Sequence, residues 1–196
     1  MATGTRRSTK RASTPYFTIP GIDSADAAKL IELLQDRLNA LNDLALTLKH
    51  VHWNVVGPNF IAVHTMLDPQ VDAVRLMVDE TAERIATLGG SPAGTPGALV
   101  AARSWDDYAI GRADALEHLA ALDLVYAGVV ESHRSAIQET EEPDPVTQDM
   151  LIGQASQLEQ FQWFVRAHLE SAGGQLATTG AKTERQAAGR SRRAAR

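Results

Sequence analysis

The stretch SADAAKLIELLQDRLNALNDLALTLKHVHW, residues 24–53, places leucine at positions 30, 34, 38, 41, 44 and 48. Intervals of three and four residues return a side chain to one face of an α-helix, so this run reads as a long amphipathic helix. Ser24 offers an N-cap hydroxyl, and Gly57-Pro58 cannot continue the helix. A second helix is expected after Asn59, with Val63, Leu67, Val71, Val74, Val78, Ile85 and Leu88 along one side and Gly89-Gly90 as its stop. Pro69 falls inside that run, where its missing N–H predicts a kink. Residues 91–108 are rich in Pro and Gly and hold one short helical run, 97–102. A third helix covers 110–140, with Leu116, Leu119, Leu122, Val125, Val129 and Ile137 as its seam; the acidic break 139–144 separates it from a fourth, 145–171. Four amphipathic helices joined by short turns, with one longer link between the second and third, make an all-α four-helix bundle with a short helix in its crossover. There is no strand pattern and no internal repeat.

A chain of 196 residues with 44% hydrophobic side chains supports one domain with a sizeable core. It contains no cysteine, which excludes a disulfide scaffold, a thiolate zinc site and a cysteine nucleophile. No apolar run approaches the roughly 18 residues of a membrane span, and residues 1–15 lack the apolar core of a secretory signal. The net charge of −5 conceals an uneven distribution. Arg6, Arg7, Lys10 and Arg11 give residues 1–15 a charge of +4. Lys182, Arg185, Arg190, Arg192, Arg193 and Arg196 against Glu184 give residues 173–196 a charge of +5, leaving −14 on residues 16–172. Neither end has apolar periodicity, so both are expected to be disordered basic tails flanking a bundle at 16–172.

No nucleotide-binding glycine pattern, serine elbow or two-histidine zinc-protease motif is present. Bundles that hold two metals inside one chain use Glu-x-x-His pairs, and none of the six histidines here has Glu three residues before it. The candidates for chemistry are His52, His64, Asp68, Asp79 and Glu83, whose nitrogen and carboxylate oxygen donors suit iron, manganese or zinc. On the second helix, His64, Asp68, Asp79 and Glu83 fall near ~0°, ~40°, ~60° and ~100°, a single stripe. Asp68 and Asp79 are nonetheless roughly 16 Å apart along the axis, while metal ligands sit about 2 Å from their ion. One helix cannot bring the two ends together. Two antiparallel copies can: both Asp68/Asp79 and His64/Glu83 are symmetric about the point midway between Ala73 and Val74. A twofold axis there sets each His/Asp end against the other chain's Asp/Glu end, with His52 closing two equivalent sites. A charged, solvated helix face is the alternative that spacing alone leaves open.

The segment His52-Trp53-Asn54-Val55-Val56-Gly57-Pro58-Asn59-Phe60, followed by His64, Asp68, Asp79, Ala82-Glu83-Arg84 and Leu88-Gly89-Gly90, resembles the signature of the Dps family, the DNA-binding proteins from starved cells or mini-ferritins. The likeness extends over the body, including Trp163-Phe164, and the basic-tailed, acidic-bodied layout is similar to the actinobacterial branch. The resemblance implies a ferritin-like four-helix bundle, twelve of which form a hollow shell. It implies a ferroxidase that binds ferrous iron at inter-subunit di-iron sites, oxidises it preferably with hydrogen peroxide, and stores the ferric mineral inside. It assigns His52, His64 and Asp68 of one chain, with the partner's Asp79 and Glu83, as ligands; all five match the family pattern. Carboxylates favour the ferric product while histidines keep affinity for the ferrous ion, and paired irons let peroxide take two electrons without releasing a hydroxyl radical. Trp53, beside His52, reads either as a sacrificial electron donor or as packing at a helix end. Inward carboxylates would attract ferrous ions. Glu139, Glu141, Glu142, Asp144 and Asp149 read as an access pore or, more simply, as a solvated turn.

A body of −14 repels DNA, so DNA binding is assigned to the basic residues of the two ends: Arg6, Arg7, Lys10, Arg11, Lys182, Arg185, Arg190, Arg192, Arg193 and Arg196. Such contacts read phosphates rather than bases and weaken with salt, and twelve copies on one particle supply avidity. Two functional classes follow. One is a ferroxidase that stores iron and coats DNA, cytoplasmic and nucleoid-associated; the other is an iron-storage cage whose tails serve assembly or solubility. The N-terminal segment, rich in Arg, Ser and Thr and free of acid, also reads as an organellar transit peptide; the equally basic C-terminus favours a DNA-binding arm.

Overall fold

A computed structural model of the chain describes residues 15–194. The elements in order are α1 (Ser24–Asn54), β1 (Val55–Val56), α2 (Phe60–Thr87), α3 (Pro96–Ala102), β2 (Ala113–Asp114), α4 (Ala115–Thr140), α5 (Pro145–Ala167) and α6 (Glu184–Ala194). The six α1 leucines are all buried. Helix α1 packs along α2 and α4 along α5, and the two hairpins close on each other. One core cluster joins Leu41, Leu44, Leu48, Leu67, Val71, Leu119, Leu122, Tyr126, Leu158 and Val165. A second, toward the other end of the bundle, joins Leu30, Leu34, Leu38, Ile85, Leu88 and Leu151. The all-α, ferritin-like bundle with a helix in its crossover is the expected architecture.

Boundaries differ in instructive ways. The N-cap of α1 is Asp23, not Ser24: its carboxylate accepts from the N–H groups of Ala25 and Asp26 at 2.9 and 2.8 Å, and its charge complements the helix dipole. Helix α2 continues through Pro69, which is exposed, so the carbonyl deprived of a partner faces water. Helix α4 starts at Ala115 rather than 110 because the preceding residues extend to pair in parallel with the end of α1, Val55 with Ala113 and Val56 with Asp114. Two-residue strands carry no alternation that a sequence can show. The pairing ties the crossover to the elbow between α1 and α2. At that elbow Gly57 has φ +97°, and a Cβ there would lie 2.7 Å from the Asp114 carboxylate. At the far end of α2, Gly89 has φ +86° and its carbonyl accepts from Tyr16 N–H at 2.9 Å. Helix α5 ends at Ala167, short of 171.

The C-terminal segment, expected to be disordered from 173 onward, is ordered through 194. Thr178 donates to the buried Asp123 carboxylate at 3.0 Å, and α6 lies on α4 with Ala187, Ala188 and Ser191 buried. Its docking face is made of small residues, which leave no leucine-like period to read. The expected disorder of residues 1–15, and its basic side chains Arg6, Arg7, Lys10 and Arg11, lie outside the described residues apart from residue 15; so does Arg196.

Candidate metal centre

The last turn of α1 and the first turns of α2 meet at the Gly57 elbow, and there the two histidines face each other. His52 Nδ1 lies 3.0 Å from the His64 carbonyl, and His64 Nδ1 lies 2.9 Å from the His52 carbonyl. The rings stack with centroids 3.6 Å apart, 23° from parallel. Phe60 tilts against His64 at 4.9 Å. A carbonyl only accepts, so each Nδ1 donates, which leaves Nε2 as the ring nitrogen that can hold a metal when the imidazole is neutral. Metal-binding histidines are oriented in this way, through their other nitrogen. Asp68 stands one helical turn beyond His64, 3.4 Å from His52 Nδ1.

The cation beside Asp68 is Lys49, whose Nζ lies 2.7 Å from its Oδ1. The Lys49 hydrogen bond, helped by the His52 and His64 charges, holds the Asp68 carboxyl below the usual range against the opposing effect of burial. Sequence reading missed Lys49 and gave Phe60 no role beyond its place in the family signature. Lys49 lies three residues before His52, a helical interval, but a lysine at such spacing carries no metal-site signal of its own.

Asp79 and Glu83 lie further along α2, both exposed and away from the histidines. Asp79 lines a shallow hollow with Asp72, Arg75, Leu76, Val78 and Ala82. Among the described residues, no three His, Asp or Glu side chains of a single chain are arranged to hold a metal ion. The structure places His52, His64 and Asp68 next to one another without arranging them around an ion, and leaves Asp79 and Glu83 further along the same helix. Large apolar side chains of that helix are also exposed: Ile61 is 63% exposed and Leu76 is 66% exposed. Trp53, next to His52, is 71% exposed in the single chain.

The remaining expected residues separate clearly. Asp144 is buried at 3% exposure, caps α5 through Val146 N–H, and receives Arg84 at 2.6 Å and the Thr147 hydroxyl. Burial would raise its carboxyl, but Thr147 and Arg84 outweigh that and hold it low. It is a structural cap, not a pore group. Glu139, Glu141, Glu142 and Asp149 are exposed at or near the α4–α5 turn. Lys182, Arg185, Arg190, Arg192 and Arg193 are all exposed; Arg190 and Arg193 donate to the Thr179 and Gly189 carbonyls, and Arg192 grips Glu117.

A family model described as a ferritin-like domain matches residues 31–172. The DNA protection during starvation protein of Mycolicibacterium smegmatis is 61% identical over 177 residues, covering 90% of this chain and 97% of that one. The structure of DpsA14 from Streptomyces coelicolor superposes with a TM-score of 0.84 at 67% identity, covering 85% of this chain and 99% of that chain. The fine tangled pili major subunit of Haemophilus ducreyi is 50% identical over 159 residues, covering 81% of this chain and 84% of that one. Fold and family model define a ferritin-like protein, and within that class the chain belongs to the Dps family. No helix among the described residues is long and apolar enough to cross a membrane.

Proposed function

We propose that two copies of this chain meet antiparallel along α2 and oxidise ferrous iron at the two sites so formed. The observation that carries this reading is the His52–His64 pair, each ring oriented by the other's carbonyl, with Asp68 beside it and no three-donor metal group from a single chain among the described residues. The partner's Asp79 and Glu83 complete the set, and the exposed Ile61 and Leu76 are covered by the same contact. Iron is the substrate. The two imidazoles offer Nε2 lone pairs to the ferrous ion, and the carboxylates offer hard oxygens that favour the ferric product. A second ferrous ion beside the first provides the second electron. Hydrogen peroxide takes both electrons and two protons, its O–O bond breaks, and two waters leave with no radical released. Lys49 holds Asp68 until a metal cation replaces it. Trp53, exposed next to His52, is placed to donate an electron if the pair is incomplete.

The ferric product accumulates inside a shell, twelve subunits in this reading, and basic side chains at the chain ends hold the particle on the phosphates of DNA in the nucleoid. The M. smegmatis relative's printed name, DNA protection during starvation, supports that second role; if the ends fail to bind DNA, a pure storage cage remains. The direct test is Asp79→Ala. Removing even an outer-shell partner typically costs about 10–100-fold at a metal site, so the variant should oxidise iron with peroxide more than about tenfold slower while keeping its helical content and particle mass. Wild-type rates in that variant would overturn the shared site.

A further inference from the structure

Helix α6 is short, eleven residues, and carries four arginines. Isolated helices of that length are marginal in water, so its order depends on what it touches. Ala187 and Ala188 are small apolar contacts, Ser191 adds a third buried side chain, and Glu184 accepts the Ala109 N–H at its N-terminal end. The strongest contact is at the other end. Arg192 Nε and Nη2 lie 2.8 and 2.6 Å from the two oxygens of Glu117 on α4. The fork matches the carboxylate edge on, the strongest geometry for such a pair. Glu117 is only 7% exposed. If Arg192 leaves, a carboxylate remains out of water without its counter-charge, so departure is opposed from the α4 side as well.

We infer that the Arg192–Glu117 ion pair is a latch that folds the C-terminal arm onto α4 and withholds it from polyanions, nucleic acid being the one this arm would meet. The inference rests on the reading of the arm as a DNA contact. While the latch is closed, Arg192 is paired with Glu117 although its own side chain is 60% exposed, Arg190 and Arg193 donate to the Thr179 and Gly189 carbonyls, and Lys182 and Arg185 are exposed. When it opens, the arm detaches as a flexible basic strand, and the Arg192 charge joins those of the other basic side chains.

Two variants separate the parts of this claim. Glu117→Gln keeps the side-chain shape, removes the carboxylate and changes no charge on the arm. In full-length protein it should speed amide exchange over 187–191 at least tenfold and hasten trypsin cleavage after Arg185. It should also bind duplex DNA more tightly at fixed salt, with a steeper loss of affinity as salt rises, because Arg192 now releases counterions. Arg192→Gln should undock the arm equally but, lacking the charge, should not steepen the salt dependence. Iron oxidation should be unchanged in both. Wild-type exchange and cleavage in E117Q, or an undocked arm with unchanged or weaker DNA binding, would overturn the latch. A third arm requires no substitution: saturating DNA should raise exchange over 187–191 in the wild-type protein, and undiminished protection would count against the latch. Chain ending at residue 172 tests the underlying reading separately. If it binds DNA as the full chain does, the arm is not the DNA contact, while exchange in E117Q still reports whether the ion pair holds the arm.

Discussion

Lys49 occupies the position of a cation at Asp68, so at the proposed site metal and ammonium would compete for one carboxylate. Replacing it with glutamine should tighten ferrous binding under anaerobic titration, by a few-fold, since the pair is partly exposed and such pairs contribute about 1 kcal/mol or less. A second residue-scale effect sits in the core. Burial, with Arg37 nearby, lowers the His133 imidazole from its ordinary value to about 4, while its Nδ1 donates to the Val129 carbonyl at 3.1 Å. A depressed histidine binds fewer protons folded than unfolded, so stability is complete above the unfolded value near 6.5 and is lost as pH falls toward 4. The loss is on the order of 3 kcal/mol. His133→Gln should flatten that acid limb, read from unfolding midpoints between about pH 4 and 7.

At the level of elements, the start of α5 depends on a charge held out of water. Arg84 on α2 reaches the Asp144 cap at 2.6 Å, with the two side chains 13% and 3% exposed. Removing one partner of such a pair costs about 3–5 kcal/mol. Arg84→Ala should therefore lower the melting temperature by roughly 10 °C, measured by calorimetry, and Asp144→Asn should be destabilising as well, because it strands the Arg84 guanidinium, only 13% exposed. The helices of the bundle were legible because leucine and valine recur at helical intervals over three or more turns in α1, α2 and α4. Asp144 was not legible as a cap: in sequence it belongs to an acidic run, and only the fold turns it inward toward Arg84. The same limit hid α6, whose docking residues are alanine and serine, and β1–β2, whose pairing joins residues 58 positions apart. The histidine and carboxylate stripe could be read from spacing, but the mutual carbonyl contacts of His52 and His64 depend on the left-handed Gly57. Gly57→Ala should strain the backbone and press on Asp114, reducing ferrous binding together with stability.

For the whole molecule, the charge layout decides what approaches it. An acidic body with basic ends should show DNA binding that falls by orders of magnitude between about 50 and 200 mM salt if six or more phosphates are engaged, checked by gel shift across that range. Iron uptake should be far less sensitive, since the donors bind the metal directly. The two donor sets at opposite ends of α2 have a genetic corollary. If the site is shared as proposed, a subunit lacking His64 would still lend its neighbour Asp79 and Glu83, and a subunit lacking Asp79 would still bring an intact histidine pair. Neither would work alone, but each mixed couple would rebuild one sound pocket and leave one ruined, so the two alleles expressed in the same cell should complement each other.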